Sequence, residues 1–175
     1  SERWTSFPPT DEDKARLHRY GVYKDMMRSR HARVFLDDHE ARAVEELRRL
    51  YVTVNFAGIV SKLCADLLFG EAPNFSVGDE AAKAALGDIV KRNNLQTLCH
   101  TMAMSASYRG DCVFKVRYGR YRSWDDRDYP IIESVPSTCF FPEIDPDNVM
   151  GMSAAIIAWR RKVGSDLFLR REIHE

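Results

Sequence analysis

Hydrophobic and polar positions follow a helical period most completely in residues 50–73. Asn55 is the expected N-cap of this helix, Gly70 the expected left-handed residue after it, and Pro73 prevents continuation. The β-branched and aromatic run 51–54 before the helix predicts an extended segment. Seven apolar residues at spacings of three and four predict one helical face, which we expect to pack within the subunit: Phe56, Ile59, Val60, Leu63, Cys64, Leu67 and Leu68.

The residues before this stretch predict two more helices. Thr10 followed by Asp13 resembles a capping box and would begin a helix over about 11–29. Residues 37–47 predict a second, shorter helix. The basic cluster between them is either a phosphate contact or a solvated helix end whose cations compensate the helix dipole, and its members are Arg28, Arg30, His31 and Arg33.

The residues after the stretch predict a short strand and two helices. Residues 74–77 favour the strand, and Asp79 is placed to begin the first of the two helices. Asn93-Asn94 breaks or bends that helix, and Gly110 ends the next one. Small side chains in the second half of the last helix favour close packing against a neighbour.

From Asp111 onward the period changes to two, which predicts strands. Residues 129–135 are the expected partner of the first strand, and 154–163 with 167–173 form a hairpin whose turn begins at Gly164. Helices followed by hairpins predict an α+β fold with an antiparallel sheet. The first strand is expected to have a dry face of Cys112, Phe114, Val116 and Tyr118 and a wet face of Val113, Lys115 and Arg117.

Composition narrows the class of protein. The chain has 175 residues, of which 45% are hydrophobic and 30% charged, as in folded soluble proteins. Lys plus Arg and Asp plus Glu are balanced at 26 each, so no global charge favours nucleic acid. The apolar runs are too short for a membrane span. The 4 cysteines lack a CxxC spacing, and this usage indicates a reducing compartment such as the cytoplasm.

The sequence has no nucleotide-binding loop, nucleophile elbow or zinc-protease motif. The carboxylates of the loop 125–128 (Asp125, Asp126 and Asp128) are either ligands for a hard cation or the side chains of a solvated hairpin loop. The first alternative describes a metal-dependent α+β hydrolase or nuclease. Arginines interleaved with aromatic residues are either nucleic-acid or partner contacts or the wet face of a sheet, namely Arg117, Arg120, Arg122, Arg160 and Arg161.

The ends of the chain add two expectations. The aromatic leader residues Trp4 and Phe7 dock either on a neighbouring subunit or on their own domain. The strand pattern continues to Glu175, so the sheet is expected to be completed by further chain or by another subunit.

The order of these features resembles the portal proteins of tailed bacteriophages, particularly the siphovirus-type branch. The resemblance covers the chain from about residue 50 onward. It is carried by the apolar helix after Val54-Asn55, which ends in the sequence ADLLFGEAP, by Asn93-Asn94-Leu95, by the junction ASYRGD at 106–111, and by IESVPS at 132–137 with Phe141-Pro142.

The resemblance implies a structural subunit rather than an enzyme, with no cofactor and no metal. Such a subunit belongs to a homo-oligomeric ring, dodecameric by resemblance, at the unique capsid vertex. The ring is the conduit for DNA packaging and ejection. Its partners are the major capsid protein, terminase, a head–tail adaptor and double-stranded DNA in the channel, and it assembles in the host cytoplasm before residing in the virion.

The resemblance also divides the chain into parts. Residues 1–49 would be a helical extension, 50–110 the helical part of a wing-like domain, and 111–175 its antiparallel β part. The channel-lining helices, clip and crown of the family have no counterpart in the pattern. The chain is therefore expected to be the N-terminal wing region of such a protein.

Overall fold

A computed structural model describes Trp4 and residues 6–36, 53–123 and 125–175. Its strands form two antiparallel sheets, β1–β2 and β3–β4–β5, which follow helices in the chain, so the fold is α+β as predicted. A 3-10 turn at Ser137–Cys139 precedes the second sheet. The elements are α1 (Asp11–Met27), α2 (Ala32–Phe35), α3 (Phe56–Phe69), α4 (Glu80–Arg92), α5 (Leu95–Arg109), β1 (Val113–Gly119), β2 (Tyr129–Val135), β3 (Phe140–Asp145), β4 (Asn148–Val163) and β5 (Asp166–His174).

The predicted helix caps are confirmed. The Thr10 hydroxyl accepts the backbone N–H of Asp13 at 3.0 Å and donates to the Asp13 carboxylate at 2.7 Å. Asn55 and Asp79 each accept the backbone N–H three residues later, at 2.9 and 2.7 Å. Gly110 ends α5 with φ 86°, a left-handed conformation that glycine adopts without a Cβ clash. These signals are local, so the sequence alone is sufficient to identify them.

Other local predictions are wrong or lie outside the described residues. Gly70 is right-handed, with φ −63° and ψ −31°, so α3 ends without the left-handed residue. Residues 74–77 form no strand, and neither do 53–54. Residues 51–52 and the helix predicted over 37–47 lie outside the described residues. Helix α2 was not predicted.

The largest departure from the predictions is the face that α3 buries. The helix packs mainly on α5 and also on α1. Ser61 and Ala65 are the side chains it buries, at 4% and 0% exposure. A Cβ on Gly58 would lie 2.9 Å from the carbonyl oxygen of Met27, so α3 also approaches α1 closely.

Small side chains allow two helix axes to lie closer together than leucines do, and α3 packs on its neighbours through its small side chains. The expectation that its large apolar residues pack within the subunit is therefore wrong. We call these residues the α3 face. All seven are exposed: Phe56 69%, Ile59 56%, Val60 55%, Leu63 54%, Leu67 78%, Leu68 68%, and Cys64.

Strand β1 is also turned opposite to the prediction. Phe114, Val116 and Tyr118 point to solvent, at 45%, 67% and 73% exposure. Lys115 forms an ion pair with Glu172 of β5, so the charged side of β1 faces the second sheet. The predicted dry and wet faces are therefore interchanged, and carboxylates on the inner side pair with the cations there, Glu172 with Lys115 and Glu133 with Arg117.

The main buried cluster lies on the three-stranded sheet. The rings of Trp4 and Phe7 lie 5.4 and 5.3 Å from the ring of Phe141, so the leader packs on its own domain. Of the two alternatives for the leader, this is the one that the structure shows. The cluster comprises Phe141, Ala154, Ile156 and Ala158, with Trp4, Phe7 and Leu17 packed against it.

The hairpin of β4 and β5 projects beyond this core. Its register runs from Ala155 opposite His174 to Val163 opposite Asp166. Gly164 has φ 61°, the positive value that the first position of the predicted two-residue turn requires. Every residue from 160 to 169 is exposed, and we call this segment the arm. Among the described residues no helix is both long and apolar enough to cross a membrane.

Candidate functional site

The loop between β1 and β2 holds the predicted cation-binding carboxylates, and each already has a partner. Asp125 accepts two backbone N–H groups of the loop at 2.9 and 2.7 Å. Asp126 accepts the guanidinium of Arg92 at 2.8 Å, and Asp128 that of Arg120 at 3.0 Å. The described part of the chain contains no group of three His, Cys, Asp or Glu side chains that could hold a metal ion.

Arg92 connects α4 to this loop. It donates to Asp88 on its own helix at 2.8 Å, and Asp88 also accepts Arg127 of the loop at 2.7 Å. Hydrogen bonds from Arg127 and then Arg92 lower the pKa of Asp88. The hydrogen bond from Arg92 lowers the pKa of Asp126 in the same way. The acidic loop is therefore an anchor for α4 in the described structure.

Three of the five candidate nucleic-acid arginines lie in or after β1, and they contact protein groups. Arg117 donates to Glu133 of β2 at 2.8 Å, and this bond lowers the pKa of Glu133. Arg120 is paired with Asp128 as described above. The guanidinium of Arg122 lies 6.0 Å from the ring centroid of Tyr121.

The other two candidate arginines lie on the arm. Arg160 donates to the carbonyl oxygen of Phe7 at 3.0 Å and stacks over the Phe7 ring at 5.4 Å. Arg161 is exposed. Cross-strand neighbours place Arg161 opposite Phe168, so a cation and a large apolar side chain share one surface of the arm.

An asparagine at the α4–α5 break holds the outer edge of β2. The Asn93 side chain donates to the carbonyl oxygen of Pro130 at 2.9 Å and accepts the backbone N–H of Ile132 at 2.8 Å. It also donates to the carbonyl oxygen of Ile89 at 2.9 Å, at the end of α4. One side chain therefore ends a helix and blocks a sheet edge against further pairing. The sequence predicted only the break.

A cavity of about 840 Å³ lies between the α4–α5 junction and the two sheets. Its apolar wall includes Ile131, Val135, Ile157 and Trp159, and its polar wall includes the paired side chains of Lys115 and Glu172. Sequence reasoning did not predict this cavity because it requires two sheets that face each other. The sequence predicted one sheet.

A further candidate surface among the described residues is the α3 face. Six of its seven side chains are each more than half exposed, so together they form an apolar patch of a kind that soluble monomers rarely leave in water. A patch of this size on a folded domain is typical of a protein–protein contact. The periodicity of the sequence identified the residues correctly, but it assigned them to the core.

Comparison of the chain with protein-family models, curated proteins and solved structures gives no match. The described residues form an α+β fold in which the apolar face of α3 is exposed.

Proposed function

We propose that this protein is a structural subunit of an assembly, specifically of a portal-type ring at the unique vertex of a tailed-phage capsid. The ring would be the conduit for DNA packaging and ejection and the platform for terminase and the head–tail adaptor. The observation that carries the proposal is the exposed α3 face. The more specific assignment to a phage portal rests in addition on the resemblance of the sequence.

The energetic argument concerns what covers this face. Leu67 and Leu68 are 78% and 68% exposed, although burying a side chain of this kind stabilises a protein by roughly 1.5–3 kcal/mol. A second protein surface removes the same area from water. Covering the α3 face would therefore contribute several kcal/mol towards subunit association, and further contacts would have to offset the loss of translational and rotational freedom.

The order of the elements also supports the portal assignment. The helix after Asn55 is followed by the α4–α5 pair bent at Asn93-Asn94. Gly110 then leads from α5 into β1, and β2 ends at Val135 before a proline and a further strand. Each of these features is one on which the resemblance rests.

The proposed role is non-enzymatic and places the protein in the virion after assembly in the host cytoplasm. A ring repeats one heterologous contact around an axis, so each subunit needs two different surfaces. The partners of the ring would be the major capsid protein, terminase, the adaptor and double-stranded DNA in the channel.

Electron microscopy of the purified full-length protein tests the proposal. We expect closed rings. Leu63→Gln, on the α3 face, should prevent them, whereas Lys62→Gln, next to it on the other side of the helix, should leave them intact. Strictly monomeric particles at high concentration, for the wild type as well as the variants, would contradict the proposal.

A further inference from the structure

Besides the α3 face and the outer face of β1, the chain exposes an apolar surface on the arm. On the arm, Val163 and Phe168 are each 53% exposed. They share one surface of the hairpin, because Phe168 lies opposite Arg161 and Val163 is two residues further along the same strand. A protein with two different uncovered apolar surfaces has what a head-to-tail contact between copies requires.

The two surfaces are similar in length. Helix α3 has 14 residues and is about 21 Å long. From residue 160 to the turn at Gly164, the arm extends about 15 Å. The arm can therefore lie along most of the helix.

Their charges are complementary. The arm carries Arg160, Arg161 and Lys162 against the single carboxylate of Asp166. The end of α3 and the segment after it are acidic, and between Lys62 and Lys83 there is no Lys or Arg. The carboxylates of that stretch are Asp66, Glu71, Asp79 and Glu80, of which Asp66 pairs with Lys62 and Glu80 with Lys83, so the remaining acidic charge lies at Glu71 and Asp79. Opposite charges at the rim of an apolar contact favour the correct partner and orientation.

We propose that the arm of one copy lies along the α3 face of a second copy. Phe168 and Val163 cover leucines of that face, and Arg161, which shares their surface of the arm, lies near the acidic segment after α3. Each copy gives one arm and accepts one, so the contact is heterologous. This inference adds a specific contact to the proposed function. Only the closure of that contact into a ring rests on the proposed function.

The test uses two full-length variants, each with one surface disabled. Leu67→Glu puts a charge on the α3 face, and Phe168→Glu puts one on the arm. Both side chains are exposed, at 78% and 53%, so both variants should fold, which circular dichroism checks. Val116→Glu is the matched control, since Val116 is 67% exposed on the outer face of β1.

Sedimentation velocity gives the decisive comparison. We expect the wild type and Val116→Glu to assemble and each of the two test variants to be monomeric. An equimolar mixture of the test variants should form dimers and nothing larger, because the intact arm of one fits the intact α3 face of the other. A contact between two α3 faces, or between two arms, would leave one variant dimeric on its own and would add no further dimers when the two are mixed, which overturns the inference.

Two further outcomes separate this inference from the proposed function. If the mixture forms dimers while the wild type forms open chains, the contact is supported and the portal ring is contradicted. If both variants still close into rings, the portal ring is supported and this contact is overturned. A monomeric wild type would overturn both.

Discussion

Replacing Leu67 tests which face of α3 is buried. Its side chain is 78% exposed, whereas Ala65, two residues earlier, is 0% exposed. The hydrophobic pattern taken alone predicts the reverse. Leu67→Ala and Ala65→Leu are therefore a matched pair of substitutions on opposite sides of one helix.

The expected magnitudes come from these exposures. Complete burial of a leucine is worth roughly 1.5–3 kcal/mol, and only about a fifth of Leu67 is buried, so Leu67→Ala should cost about 0.3–0.7 kcal/mol. Ala65→Leu inserts three carbon atoms where α3 meets its neighbours. Such overpacking typically costs about 1–3 kcal/mol.

Urea unfolding followed by circular dichroism measures both changes. Low protein concentration is needed because assembly adds to the apparent stability of the folded state. A repeat at much higher concentration should enlarge the effect of Leu67→Ala if the α3 face is a subunit contact. A loss of 2 kcal/mol or more at low concentration would refute the reasoning, since it is the cost of truncating a buried leucine.

Three other predictions concern side chains with defined partners, each measured by urea unfolding. Asn93→Ala should destabilise by about 1–3 kcal/mol, because two backbone groups of β2 lose their partner, and a neutral result would contradict the role of the side chain at this edge. Thr10→Ala should cost about 1 kcal/mol through loss of the α1 cap, while the same change at Thr101 inside α5, whose hydroxyl only donates to the carbonyl oxygen of Thr97, should cost less. The hydrogen bond from Arg117 lowers the pKa of Glu133 below its ordinary 4.5, so its contribution is present above that pH and is lost as pH falls through the folded-state pKa. Wild type should therefore lose more stability on acidification than Glu133→Gln, and equal losses would contradict the pairing.

The sequence was sufficient for features that depend on neighbouring residues. The cap at Thr10 needs only the N–H three residues later, and Gly164 needs only the turn geometry. The bend at Asn93-Asn94 and the end of α5 at Gly110 are of the same kind. The order of helices and strands was therefore predictable, and so was the α+β class.

The direction in which each element faces was not predictable from local pattern. Periodicity shows that α3 has an apolar face, but it does not show whether the helix packs there or on Ser61 and Ala65. That depends on the close approach of α3 to its neighbours and on Asn55, whose side chain donates to the carbonyl oxygen of Met27 at 2.8 Å. In β1 the inner side forms the Lys115–Glu172 pair, which joins residues far apart in sequence and so is not visible in local pattern.

The exposure of the α3 face was not predicted for the same reason. Large apolar residues are usually buried, and the pattern alone gives no sign that a helix keeps them outside. The small residues Gly58, Ser61 and Ala65 at spacings of three and four were the available signal. They mark a side of the helix suited to close packing.

The reactivity of Cys64 tests the central claim most directly. Cys64 lies on the α3 face and is exposed, and Cys112, near the start of β1, is exposed away from it. We would measure the alkylation rate of both thiols by mass spectrometry as the concentration of the full-length protein rises. Rapid modification of Cys64 in dilute protein and its protection on assembly, with Cys112 unchanged, is the predicted result. Slow modification of Cys64 at every concentration would contradict the account, because the face would then be buried within its own chain.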